Sequence, residues 1–115
     1  MSVPAITHPF PDQLVELIAG RFKALADPTR IRLLQRLHEG EATVTQLTEA
    51  AGTTQQNVSK QMLLLLDAGL VARRRDRNFI FYRVADDAVF ELCAAVCGSL
   101  RDEVGDLAAR IGAGD

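Results

Sequence analysis

Aromatic residues are scarce in this chain of 115 residues: there is no tryptophan, one tyrosine and five phenylalanines, 5% in all. Proteins that stack successive unpaired bases need aromatic platforms, so a single-strand nucleic-acid binder is not expected. Cysteine is nearly absent too. Cys93 and Cys97 are too few for a disulfide scaffold and suit a reducing compartment. No run of about 18 apolar residues is present, and the first residues lack the basic start and apolar stretch of a signal peptide. A cytosolic protein with no membrane partner is therefore expected. The only histidines, His8 and His38, stand far apart and read as surface or packing residues. Neither a GxxxxGK phosphate loop nor a plausible Ser/His/Asp or Cys/His/Asp set occurs, so an enzyme has no candidate residues.

What is present is charge in one place. The net charge is −2, yet Thr54 to Val84 holds six basic residues (Lys60, Arg73, Arg74, Arg75, Arg77, Arg83) against two acids, a local +4. The remainder holds seven basic and thirteen acidic residues, −6. Attraction to phosphate acts locally, being screened over about 8–10 Å, so the acidic remainder does not cancel a basic edge.

With 48% apolar residues the chain can form one ordinary core, and residues 11–110 are expected as a single domain between a flexible N-terminus, 1–10, and a tail, 111–115. Apolar residues at Leu14, Val15, Ile18, Phe22 and Leu25 have helical spacing. Asp27-Pro28 reads as an N-cap and first position of a second helix, with Ile31, Leu33, Leu34 and Leu37 inward and a stop at Gly40. A short third helix over 43–51, capped at Thr45 or its neighbour, places Leu47, Ala50 and Ala51 inward and ends at Gly52. Thr53 or Thr54 caps a fourth, over 54–68, with Gly69 as terminator. Val71–Arg75 and Phe79–Val84 flank the polar turn Asp76-Arg77-Asn78 and read as a hairpin. A long last helix from Asp86 carries Val89, Cys93, Val96, Leu100, Val104, Leu107 and Ile111, with Phe90, Leu92, Cys97 and Ala108 broadening the stripe.

The expected fold is mainly α with a β-hairpin wing: four helices, two strands and a final helix. The third and fourth helices with their Gly turn form a helix-turn-helix, whose second member enters the DNA major groove by its N-terminal part. Thr54, Gln55, Gln56, Asn57, Ser59, Lys60 and Gln61 are the candidate DNA-binding residues there, since amides, hydroxyls and ammonium groups match base edges and phosphates. Met62, Leu63, Leu65, Leu66 and Leu70 root that helix. One of Leu63 to Leu66 must nevertheless face outward, because four consecutive residues circle a helix. Arg74, Arg75, Arg77 and Asn78 on the hairpin are the candidate wing contacts. The first and last helices expose more apolar surface than so small a domain covers, so a homodimer through both is expected, on an inverted-repeat operator with half-sites about 34 Å apart. The competing reading is a winged-helix module whose basic hairpin binds an acidic protein.

The segments FKALADPTRIRLLQRL and VTQLTEAAGTTQQNVSKQMLLLLDAGLVARRRDRNFIFYRV resemble the ArsR/SmtB family of winged helix-turn-helix repressors over roughly residues 20–100. The matching positions are Leu25 to Arg30, Gln55, Val58-Ser59, Ala68 to Val71 and Tyr82 to Val84. The resemblance implies a homodimer on operator DNA, released in many members by a metal ion, a metalloid or an oxidant. Gln61 stands where many members have His, and Arg77 where the wing turn often has Gly, so Asn78 is expected to supply the positive φ. The family's Cys-x-Cys sensor positions are occupied by Thr43 and Thr45, and its zinc positions by Asp86, Ala88, Ser99 and Asp102, without either imidazole. No cofactor is required. The remaining candidate sensor is Cys93 with Cys97, an i, i+4 pair whose thiolates can converge on a thiophilic ion or answer an oxidant. The same two residues also suit close helix packing as small hydrophobes.

Overall fold

The computed structural model describes residues 10–113. His8 and residues 1–9 of the expected flexible segment lie outside the described residues, as do the side chains of Ala108 and Ile111. Internal contacts divide the chain into two compact units, one ending at Ala85 and the other beginning at Asp86.

The first unit runs α1 (Asp12–Leu25), α2 (Pro28–His38), β1 (Ala42–Thr43), α3 (Val44–Ala51), α4 (Gln55–Asp67), β2 (Val71–Asp76) and β3 (Phe79–Val84). Local chemistry sets most of these boundaries. Asp27 caps α2, its Oδ2 accepting from Arg30 N at 3.1 Å, with Pro28 following at the first helical position. Thr43, rather than Thr45, caps α3. Gln46 stands three residues after it, the spacing of a capping box, so Gln46 N donates to Thr43 Oγ1 and Thr43 N to Gln46 Oε1. Left-handed Gly52 ends α3. At the end of α4, left-handed Gly69 donates to Leu66 O and Leu70 N donates to Leu65 O, the paired bonds of a Schellman motif.

The sheet has three strands, in the order β1-β3-β2, all antiparallel. The hairpin β2–β3 is where the sequence places it. Strand β1 is an addition, because two residues show no period; Ala42 pairs with Tyr82 and Thr43 with Phe81, making β3 central. The core of this unit lies where α2, α3 and α4 meet the base of the sheet. Leu33, Leu34 and Leu37, then Leu47 and Ala51, then Val58, Met62 and Leu65 are buried, with Ala42, Leu70, Val71 and Tyr82. Three residues expected inward are exposed: Ile31, Ala50 and Leu63. Val58, Met62 and Leu65 follow the i, i+4, i+7 rule and occupy the one inward face of α4, so Leu63 and also Leu64 turn outward. Ile31 and Ala50 likewise sit beside, not on, the stripes of α2 and α3.

The second unit is α5 (Ala88–Ala113). Asp86 starts it, its Oδ1 accepting from Ala88 N at 3.0 Å. Val96, Leu100, Val104 and Leu107 are all exposed along its length.

Candidate nucleic-acid interface

Helix α4 begins at Thr54, whose Oγ1 accepts from Asn57 N at 3.1 Å. This cap fixes where the helix starts and therefore which residues form its first two turns. Thr54, Gln55, Gln56 and Lys60 are exposed, and the side chains of Gln55, Gln56 and Lys60 make no hydrogen bond or ion pair among the described residues. Asn57, Ser59 and Gln61 are half-buried. Asn57 and Gln61 are also committed to one another, Gln61 Nε2 donating to Asn57 Oδ1 at 3.1 Å. Of the seven polar candidates, four thus face outward, Asn57 and Gln61 form an internally bonded pair, and Ser59 is half-buried beside them.

The wing divides similarly. Side chains alternate along β2, so Arg73 and Arg75 share the face of Val71 and Tyr82, while Arg74 shares the other with Phe81. Arg74 is not a free wing cation. Its Nε and Nη2 donate to Glu41 Oε2 and Oε1 at 2.8 and 2.7 Å, its guanidinium carbon lies 4.6 Å from the Phe81 ring centre, and Asp76 is 3.8 Å away. The hydrogen bond from Arg74 holds the Glu41 carboxyl below its ordinary pKa, helped by the charges of Arg74 and Arg83, and Glu41 raises Arg74 in return. This fork anchors the base of the wing.

Asp76 pairs with Phe79, leaving Arg77 and Asn78 as a two-residue turn. Arg77 takes the positive φ, 57°, and Asn78 does not, contrary to expectation. Positive φ at the first central residue alone is the type II′ pattern, whose twist suits hairpins, so position within the turn overrides the tolerance of Asn. The turn is tied by Arg75 Nε, which donates to Arg77 O at 3.1 Å. Arg73, absent from the candidate set, is exposed and without an ion pair among the described residues. Strand alternation beside Arg75 was the signal that identifies it.

Cys93 and Cys97 lie one turn apart on α5, Cys93 half-buried and Cys97 exposed, both as free thiols. Among the described residues no three His, Cys, Asp or Glu side chains gather to hold a metal. Two thiols alone fit a soft ion satisfied by two ligands, and not a hard or tetrahedral one.

The geometry has its counterparts among known proteins. A family model described as a helix-turn-helix domain matches residues 25–74. The crystal structure of Rv0081 from Mycobacterium tuberculosis superposes with a TM-score of 0.73 at 37% identity, over 84% of this chain and 97% of that one. A probable mercury resistance operon repressor from Streptomyces lividans is 42% identical over 86 residues, 75% of this chain and 64% of the relative, so the chain spans less than two thirds of that protein. The chain belongs to the ArsR/SmtB family. Its α3–α4 pair and β2–β3 hairpin are the helix-turn-helix and wing of that family, and members of the ArsR/SmtB family are regulators of transcription, not enzymes. The homodimeric winged helix-turn-helix DNA-binding domain of Mb0332 from Mycobacterium bovis has the same fold, with a TM-score of 0.72 at 29% identity over 85% of this chain and 94% of that one. No helix among the described residues is long and apolar enough to cross a membrane.

Proposed function

We propose that this ArsR/SmtB chain is a cytoplasmic, dimeric repressor that reads inverted-repeat operator DNA with α4 and steadies it with the wing. The observation that carries this is the capped start of α4. Gln55, Gln56 and Lys60 project there without partners among the described residues, on a helix rooted by Val58, Met62 and Leu65. Thr54, Asn57 and Ser59 complete the reading surface, with Gln61 bonded behind Asn57. Arg75, Arg77, Asn78 and Arg73 meet phosphates, while Arg74 sets the wing through Glu41. The exposed apolar stripes of α1 and α5 support a second copy as the partner.

Cys93 and Cys97 are the inducer site in this reading, taking a thiophilic ion as thiolates or an oxidant as thiols. The exposure of Cys97 favours it over packing within one chain, and the relative associated with mercury resistance makes the mercuric ion the first to try.

The test is fluorescence-anisotropy binding to the DNA upstream of the protein's own reading frame, with and without mercuric ion, arsenite, cadmium or a mild oxidant. Selective binding relieved by one of these, and not relieved in Cys93→Ser/Cys97→Ser, supports repressor and sensor together. Selective binding indifferent to all of them leaves a repressor without a thiol site. Absence of sequence preference favours the protein-interaction module instead.

A further inference from the structure

The paired amides of α4 carry a direction that originates in α2. Arg30, in the first turn of α2, is held by the end of α1, its Nε donating to Ala24 O at 2.6 Å and its Nη2 to Lys23 O at 3.2 Å. Its remaining terminus, Nη1, donates to Gln61 Oε1 at 2.7 Å. A guanidinium has donors only, so Gln61 must turn its oxygen toward Arg30. Gln61 Nε2 then faces Asn57 Oδ1 at 3.1 Å, and Asn57 Nδ2 in turn donates to Thr53 Oγ1 at 3.3 Å. A primary amide is nearly the same shape either way round, and without a donor-only anchor both amides are free to turn over.

We propose that Arg30 is a positioning residue for base recognition, fixing through Gln61 the orientation of the Asn57 amide that α4 presents to DNA. The inference rests on α4 being the reading helix. Within the relay Asn57 uses one of its two amide protons and one of its two lone-pair directions. It keeps one donor on the Thr53 side and one acceptor on the Gln61 side. A side-chain amide reads adenine with its acceptor on N6 and its donor on N7, so a reversed amide mismatches both. Fixing the order admits adenine in one placement along the helix and disfavours the other. Gln61, half-buried between Arg30 and Asn57, transmits that polarity.

Gln61→Met separates this role from a packing one. Methionine keeps volume and helix propensity and leaves the bonds from Arg30 to α1 in place, while ending the relay. Arg30→Lys keeps a donor-only cation. The probe is a pool of duplex DNA with a randomised centre, selected by each full-length protein and sequenced, beside anisotropy on unselected duplex. Wild type and Arg30→Lys are expected to enrich the same bases. Gln61→Met is expected to hold unselected duplex as wild type does, while discrimination at one position per half-site falls by about tenfold. In the DNA-free protein, proton exchange at Asn57 Nδ2 should quicken in Gln61→Met. Base preferences of Gln61→Met identical to those of wild type overturn the proposal. So does equal weakening on all sequences together with lower thermal stability, since that makes the relay structural only. A wild type that enriches no sequence removes the reading helix itself and the inference with it, a failure visible before any variant is made.

Discussion

The helices α2 to α4 and the terminal helices α1 and α5 both carry apolar residues at helical spacing, but α2 to α4 bury most of theirs whereas α1 and α5 bury, among the described residues, only Ala24 and Val89. Leu33, Leu47, Met62 and Leu65 are at 0% exposure, whereas Leu17 stands at 69% and Val104 at 64%. Spacing reports that a helix has an apolar side; it is silent on whether the surface that covers this side belongs to the same chain. In the first group the cover is internal, from neighbouring helices and the sheet base. In the second the chain itself leaves the stripe exposed, and a second copy is its proposed cover. The helix-turn-helix part therefore has a core of its own, while the apolar stripes of α1 and α5 stay exposed in the single chain.

The largest effect expected is on the internal core. Met62→Ala should lower unfolding free energy by about 2–5 kcal/mol, independently of protein concentration, as measured by urea denaturation. A cost within a few tenths of a kcal/mol would mean that α4 is not rooted as described. Next comes the association. Leu17→Glu and Leu100→Glu put a charge into each exposed stripe, and each should weaken self-association by about 2 kcal/mol or more, read by sedimentation equilibrium. Thermal stability should then cease to depend on concentration. Variants that remain dimers would show that the stripes are covered by something other than a second copy.

What could be read in advance follows the same division between local and distant causes. Asp27-Pro28, Thr54 and Gly69 act on residues at most a few positions away, so their helix boundaries were legible, and so was the presence of the hairpin, though Asp76 pairs with Phe79 and the turn is two residues rather than the three expected. Strand β1 was not, since its two residues exist as a strand only because Tyr82 and Phe81 lie opposite. The same holds for the site. The amides of α4 and the arginines of the wing were visible as a cluster, but their internal commitments were not: Arg74 is taken by Glu41 and Gln61 by Arg30, partners 33 and 31 residues away. Ile31, Ala50 and Leu63 were misplaced because apolar character marks a helix side only to within a neighbouring position.

A smaller effect sharpens the comparison within α4. Thr54→Ala removes the side-chain cap from the exposed start of the helix and should cost about 1 kcal/mol in thermal unfolding. Its consequence for DNA should exceed its consequence for stability, because the first turn both frays and presents Gln55 and Gln56. Thr43→Ala, which removes the equivalent cap from α3, serves as the control: similar stability loss, with DNA affinity largely retained. Equal DNA losses in the two would mean that the start of α4 has no special part in contact.

The smallest effect lies at the base of the wing, where both partners are solvent-accessible and a surface pair contributes little to stability. Its value is as a reporter. Because the folded pKa of Glu41 is depressed below 4.5, the pair contributes stability that is present above that value and is lost as pH falls through the lower folded pKa. Global unfolding should scarcely register the change. An NMR titration of the Glu41 carboxyl should instead show a midpoint below the ordinary carboxylate range in wild type, moving upward in Arg74→Met, which removes the hydrogen bond and the charge but keeps much of the stem against Phe81. The wing amides of β2 should report the same midpoint if Arg74 orients the strand through Glu41. A carboxyl that titrates at its ordinary value in wild type would release Arg74 from this anchor and return it to the wing cations with no carboxylate partner among the described residues, beside Arg73 and Arg75.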